Sequence, residues 1–320
     1  MLIDLLKIAL GLGLLVVAGD LLVRGAVNMA LRLGIPALIV GLTVVAFGTS
    51  APEMMVSVAA VLDNAPAIAL GNVIGSNTAN ILLVIGIPAI IAAMRTDEHD
   101  TRESYLIMMA GSVLFIALAL MGGFTWVHGL VLLATLGAIL ARQISQAMAH
   151  RAEGQTEPEE DLEGADPQMP WAKIGLFLVL GLIGLPFGAD FLVDGATNIA
   201  RAAGISEAVI GLTLVAVGTS LPELATSVTA AFKGRADVAL GNVIGSNIFN
   251  LLAIIGVASL VGPLPVPEEM KRLDLWVMLG ASALIAPFLF TRKPFTRIVG
   301  FGFVAIYAVY VAALMLMGKV

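Results

Sequence analysis

The sequence has no cysteine, only three histidines and little charge. Without cysteine there is no disulfide framework, thiolate metal site, iron–sulfur cluster or Cys nucleophile. His99, His128 and His150 are scattered along the chain, which argues against a His-based metal centre. Charged residues are 12% of the 320 positions, against ~25% in an average soluble protein. The net charge is −6 and no basic cluster occurs, so nucleic acid is not an expected partner. What is abundant is apolar: 59% of residues are AVILMFWYC, a further 34 are glycine, and the mean hydropathy is +1.00. That much apolar surface cannot be hidden in a soluble fold of this length, and it rules out disorder. The expectation is an all-α polytopic membrane protein.

Apolar runs long enough to cross a bilayer recur at roughly 4–30, 36–61, 67–93, 104–121, 125–143, 171–198, 207–231, 237–261, 274–291 and 297–317, which makes ten spans. The runs are continuous rather than alternating, so barrel strands do not fit. The first run carries Asp4 before Lys7 and no small-x-small cleavage site, so it reads as an uncleaved span. With ten spans both termini lie on one side. Twelve of the 17 Lys and Arg residues then fall on the opposite face and five on the side of the termini. Positive charge marks the cytoplasmic face, so both termini are expected outside, in a plasma (inner) membrane. Residues 150–170 are acidic, hold Pro158, Pro167 and Pro170, and read as a flexible cytoplasmic linker. The expected organisation is residues 1–149, a linker at 150–170, and residues 171–320.

The two halves match without a gap at an offset of 170 positions. Residues 19–86 and 189–256 share 35 identities in 68 positions. Each unit holds five spans, an odd number, so the second copy is expected upside down relative to the first. The loop around Asp63 carries no cation, whereas its counterpart carries Lys233 and Arg235, as opposite faces require. Inverted repeats are an architecture of secondary transporters.

The best-matched stretches carry the chemistry. One pair is Gly41-Leu-Thr-Val-Val-Ala-Phe-Gly-Thr-Ser-Ala-Pro-Glu53 and Gly211-Leu-Thr-Leu-Val-Ala-Val-Gly-Thr-Ser-Leu-Pro-Glu223. The other is Gly71-Asn-Val-Ile-Gly-Ser-Asn77 and Gly241-Asn-Val-Ile-Gly-Ser-Asn247, followed by Asn80 and Asn250. Glu53 and Glu223 fall near mid-bilayer, where an ionised carboxylate is costly and marks function by default. No Lys or Arg lies mid-span to pair with them, which leaves protonation or a mobile cation. Pro52 and Pro222 lack an N–H and clash with the carbonyl four residues back. They are expected to free carbonyls over Ala46–Thr49 and Ala216–Thr219. Thr49, Ser50, Thr219 and Ser220 add hydroxyls. Ser76 with Asn80, and Ser246 with Asn250, are i, i+4 pairs on one helix face. All donors are oxygen, which suits hard cations such as Na⁺, Ca²⁺, Mg²⁺ or K⁺. Asn72 and Asn242 read as helix bridges or caps. Asp20 reads as an i, i+4 pair with Arg24, and Asp190 has no such partner.

At these motifs the sequence resembles the cation/calcium antiporter superfamily, in particular the prokaryotic sodium/calcium exchangers. The resemblance implies ten helices in two inverted five-helix repeats, three sodium sites and one calcium site at mid-membrane, and sliding of the first and sixth helices during alternating access. It implies ion ligands at Ala46, Thr49, Ser50, Glu53, Ser76, Asn80, Ala216, Thr219, Ser220, Glu223, Ser246 and Asn250. Some members carry Asp where Asn250 stands, and its absence here makes a K⁺-dependent exchanger the less fitting subclass. The implied function is Na⁺/Ca²⁺ antiport, with no enzymatic activity, no organic cofactor, Na⁺ and Ca²⁺ as the partners in a lipid bilayer, and a monomer able to work alone. The alternative is H⁺/Ca²⁺ antiport. A cation channel fits less well, since two fixed carboxylates with many ligands bind tightly and conduction wants weak sites. An intramembrane lipid phosphatase would need a midplane Arg for phosphate.

Overall fold

The computed structural model describes residues 2–35, 37–96, 101–152, 166, 168–202 and 216–317. Eight helices among these are long and apolar enough to cross a membrane: Leu2–Leu33, Pro66–Ile91, Arg102–Leu120, Trp126–Gln146, Trp171–Ile199, Ala236–Val261, Met270–Thr291 and Arg297–Leu316. A ninth candidate is a pair of helices, Gly41–Thr49 and Ala51–Leu62, bent by 47° at Ser50. Of the expected span at 207–231, residues 207–215 lie outside the described residues, and the helices Ala216–Thr219 and Leu221–Phe232 are its remainder. Most of the expected linker, 153–165 together with 167, also lies outside them.

Burial separates the helices into two classes. In Pro66–Ile91 and Ala236–Val261, 78% and 89% of the most apolar stretch is buried. These two helices therefore form the centre, and every polar residue they carry must be satisfied inside the protein. Arg297–Leu316 is only 11% buried and presents its apolar side chains to lipid. The lipid-facing belt includes Leu2, Ile3, Met55, Ile298 and Val309, each more than two thirds exposed.

The two longest helices, Leu2–Leu33 and Trp171–Ala202, pack against each other along most of their length. Their contacts run in opposite sequence order, Gly11 against Leu192 and Gly25 against Leu178. The seam is made of glycine because the backbones nearly touch. A Cβ on Gly11 would lie 2.6 Å from Leu192 N, and one on Gly181 would lie 2.6 Å from Leu22 Cβ. Without a hydrophobic drive between helices in lipid, such close van der Waals packing is what holds them. The Gly11–Leu192 and Gly181–Leu22 contacts are one contact displaced by 170 positions. So are Gly25–Leu178 and Gly195–Ile8.

Other features repeat at the same displacement. Asn80–Val84 and Asn250–Ile254 are both π-helical turns. Met94 exchanges backbone hydrogen bonds with Phe295, and its counterpart Leu264 does so with Phe124, one position off the strict displacement. Two boundaries differ from the expected ones. The helix Trp126–Ala152 runs past the expected end at 143, because Arg142 pairs with Glu103 at 2.7 Å and Gln146 donates to the same carboxylate at 3.0 Å. The end of the linker is held rather than free: the Asp166 N–H donates to Asn28 Oδ1 at 2.7 Å, and Met169 is buried.

Candidate functional site

Each glutamate sits in the first turn of a helix that starts just after a break at a serine. Ser50 (φ −84°, ψ 3°) and Ser220 (φ −88°, ψ 5°) interrupt the helical path, and Ala51–Leu62 and Leu221–Phe232 begin just after them. Pro52 and Pro222 occupy the first turn, where a missing N–H costs nothing. Met54 N–H donates to Ser50 O at 3.1 Å and Leu224 N–H to Ser220 O at 3.0 Å. Glu53 and Glu223 are completely buried. A helix N-terminus favours negative charge, so the broken helices give each carboxylate a polar setting inside an apolar shell.

The site is built across the two halves. Ser50 Oγ donates to Glu223 Oε1 at 3.3 Å. Thr49 Oγ1 lies 3.3 Å from Ala46 O, 3.2 Å from Asn242 Oδ1 and 3.4 Å from Ser246 Oγ. Gly245 lets this happen: the Leu42 carbonyl and Ala46 Cβ would stand within 2.6 Å of a Cβ there. The Ala46 carbonyl is not freed as expected, since it accepts the Ser50 N–H at 3.0 Å. Pro52 has no N–H to give Gly48 O, four residues back, but a neighbouring cap N–H donates there instead, and the donor to Ala46 is untouched.

Seven oxygens of the expected ligands are buried without a hydrogen-bond donor among the described residues: Glu53 Oε1 and Oε2, Ser76 Oγ, Asn80 Oδ1, Ser220 Oγ, Glu223 Oε2 and Asn250 Oδ1. Buried polar atoms are nearly always paired, so this many oxygens, those of Glu53 with Glu223 and Asn80 with Asn250 on matched positions, is a set suited to a cation. Among the described residues no group of three or more His, Cys, Asp or Glu side chains gathers. The donors besides the two carboxylates are therefore neutral oxygens, a set that fits hard ions. Thr219 is half-buried at the end of its short helix, and Ala216 begins that helix. Ser50 also lines a cavity of about 150 Å³ with Phe47, Ala51, Met54, Met55, Phe249 and Ile254. Its walls are apolar apart from that hydroxyl, which strengthens electrostatics nearby.

Asn72 and Asn242 are bridges. Asn72 Nδ2 donates to Glu53 O at 3.1 Å and Ser57 Oγ at 2.9 Å. Asn242 Nδ2 donates to Glu223 O at 3.3 Å and Ser227 Oγ at 3.2 Å. They tie each glutamate helix to its central neighbour. Sequence reasoning missed Ser57 and Ser227, although both are identities at the 170-residue offset. Asp20 pairs with Arg24 at 2.9 Å as expected and also with Lys233 at 2.6 Å. On the second half it is Asp194 that is paired, with Lys7 at 2.5 Å.

The family model described as sodium/calcium exchanger protein matches residues 4–145 and 173–316, one stretch in each half. The putative antiporter CaxA of Alkalimonas amylolytica is 36% identical over 282 residues, 88% of each chain. The sodium/calcium exchanger MaX1 of Methanosarcina acetivorans is 33% identical over 351 aligned positions, 98% of each chain. A solved structure of the sodium-calcium exchanger NCX_Mj superposes with a TM-score of 0.83 at 34% identity, covering 98% of this chain and 99% of that one. A match that takes in both halves and the whole fold leaves one conclusion: the chain belongs to the sodium/calcium exchanger protein family.

Proposed function

We propose that the chain exchanges Na⁺ for Ca²⁺ across a plasma membrane by alternating access, with both ions using the buried oxygens around Glu53 and Glu223. The observation that carries this reading is the set of seven buried oxygens without a donor among the described residues, contributed by both repeats. In this reading the ligands are Ala46, Thr49, Ser50, Glu53, Ser76 and Asn80 with Ala216, Thr219, Ser220, Glu223, Ser246 and Asn250. The chain is ten helices in two inverted halves, 1–149 and 171–320, with both termini outside and the 150–170 linker cytoplasmic. The glycine-seam contacts that recur at the 170-residue displacement support the inverted arrangement. Two halves of one fold facing opposite ways have two conformations of similar energy, and the glycine seam between Leu2–Leu33 and Trp171–Ala202 is smooth enough for sliding. No organic cofactor enters this mechanism, and one chain carries a complete site.

An outward sodium gradient is expected to drive calcium into proteoliposomes when the pH gradient is collapsed by an ionophore. Uptake that follows a pH gradient and ignores sodium would make the protein an H⁺/Ca²⁺ antiporter. Calcium flux down its own gradient with no counter-ion would make it a channel.

A further inference from the structure

Four asparagines meet where the two central helices cross. Asn77 Nδ2 donates to Asn247 O at 3.5 Å, and Asn247 Nδ2 donates to Asn77 O at 3.4 Å. Each amide also faces a methionine sulfur, Met278 at 3.8 Å from Asn77 Nδ2 and Met108 at 3.7 Å from Asn247 Nδ2. Asn77 and Asn247 are 170 positions apart, as are Met108 and Met278, so this clasp is symmetric. The next pair of contacts is not. Asn80 Nδ2 donates to Asn247 Oδ1 at 3.1 Å. Its counterpart would join Asn250 Nδ2 to Asn77 Oδ1. Both of those atoms are buried without a partner among the described residues.

The difference bears on ion binding. A carboxamide has an oxygen that attracts a cation and an NH₂ that repels it, and its two flipped orientations fill nearly the same space. Something must hold the nitrogen away if the oxygen is to face the ion. Asn247 does this for Asn80, whose Oδ1 is left as an acceptor. Asn250 has no such partner among the described residues, where its Oδ1 and Nδ2 are both unpaired. Both residues open a π-helical turn, a widened backbone found often at functional sites.

We propose that Asn247 and Asn77 are positioning residues that present the ligand oxygens of Asn80 and Asn250, one at a time. In the conformation described, Asn247 holds Asn80. In the conformation open to the other face, Asn77 holds Asn250 and the Asn80 bond is released. Near-symmetric halves make the two arrangements close in energy, so the exchange of one hydrogen bond for its mirror image accompanies the change of access. This rests on the antiport reading above.

The test is the half-saturating Ca²⁺ concentration at each face, measured in right-side-out and inside-out vesicles of the full chain. Asn247→Ala is expected to raise it about tenfold at one face, the size of one buried hydrogen bond, and less than about threefold at the other. Asn77→Ala is expected to do the reverse, and maximal rates are expected to change less than either. If an alanine variant fails to insert, serine at the same position, too short to reach the partner amide, gives the same reading. Asn247→Asp, still an acceptor for Asn80 Nδ2, is expected to keep the wild-type ratio between faces. Wild-type vesicles that exchange, with both variants weakened equally at both faces, would overturn this proposal alone. Wild-type vesicles without sodium-driven uptake would overturn the antiport reading and this proposal together.

Discussion

Glu53→Gln and Glu223→Gln are each expected to abolish calcium exchange while the protein still inserts and purifies. Glutamine keeps the shape of the side chain and removes one of the two formal charges of the site. Both positions are completely buried, and no Lys or Arg lies mid-span to take over. A bound Ca²⁺ would then be left with one uncompensated charge. Charge imbalance at bilayer depth costs about 3 kcal/mol or more, which is on the order of a hundredfold in affinity. The neutral ligands are not expected to fail so completely, since each loses one oxygen among many. Radiolabelled calcium uptake into proteoliposomes measures this. Wild-type rates in either variant would remove the glutamates from the mechanism.

Exchange is also expected to respond to membrane potential. In the proposed site, with three Na⁺ exchanged for one Ca²⁺, the charged ligands are Glu53 and Glu223, with neutral Asn at 80 and 250. One Ca²⁺ neutralises the pair, and three Na⁺ leave it at +1. Calcium-loaded crossing is then electrically silent, and the sodium-loaded form carries the charge. For calcium uptake, one net positive charge leaves the vesicle per cycle, so an inside-positive potential accelerates it. A potential of 100 mV is worth about 2.3 kcal/mol per charge, about fiftyfold in the calcium ratio reached at equilibrium. Potentials set with K⁺ and valinomycin test this. Uptake indifferent to the potential would mean two Na⁺ or two H⁺ per Ca²⁺.

The residues proposed as ligands stand out in the sequence because they are chemically conspicuous. A carboxylate after proline in an apolar run, repeated at a fixed offset, has few structural explanations. The interruption at Ser50 followed from Pro52, whose ring cannot continue the preceding helix. The fate of the Ala46 carbonyl was read less well, because a proline deprives only the residue four positions back. The asparagine roles were hidden for a different reason. An amide donates and accepts, so its sequence position does not say whether it binds an ion, bridges helices or orients another amide. Asn72 donates within its own half, to Glu53 O, whereas Asn77 and Asn80 donate to Asn247 of the other half, one to its carbonyl and one to its side chain, and only the fold tells these apart. Ser57 was missed because a lone serine in an apolar helix usually bonds its own backbone. The extension of Trp126–Ala152 depends on a pairing with Glu103, 39 positions away from Arg142, which no local pattern signals.

The central claim is that Na⁺ and Ca²⁺ share one site built on Glu53 and Glu223. Equilibrium calcium binding to the purified protein, titrated with NaCl against choline chloride at constant ionic strength, tests it most directly. The account predicts saturable calcium binding that sodium displaces with a steep, cooperative dependence, and loss of that binding in Glu223→Gln. Calcium binding that sodium leaves unchanged, or that survives the glutamine substitution, would contradict it.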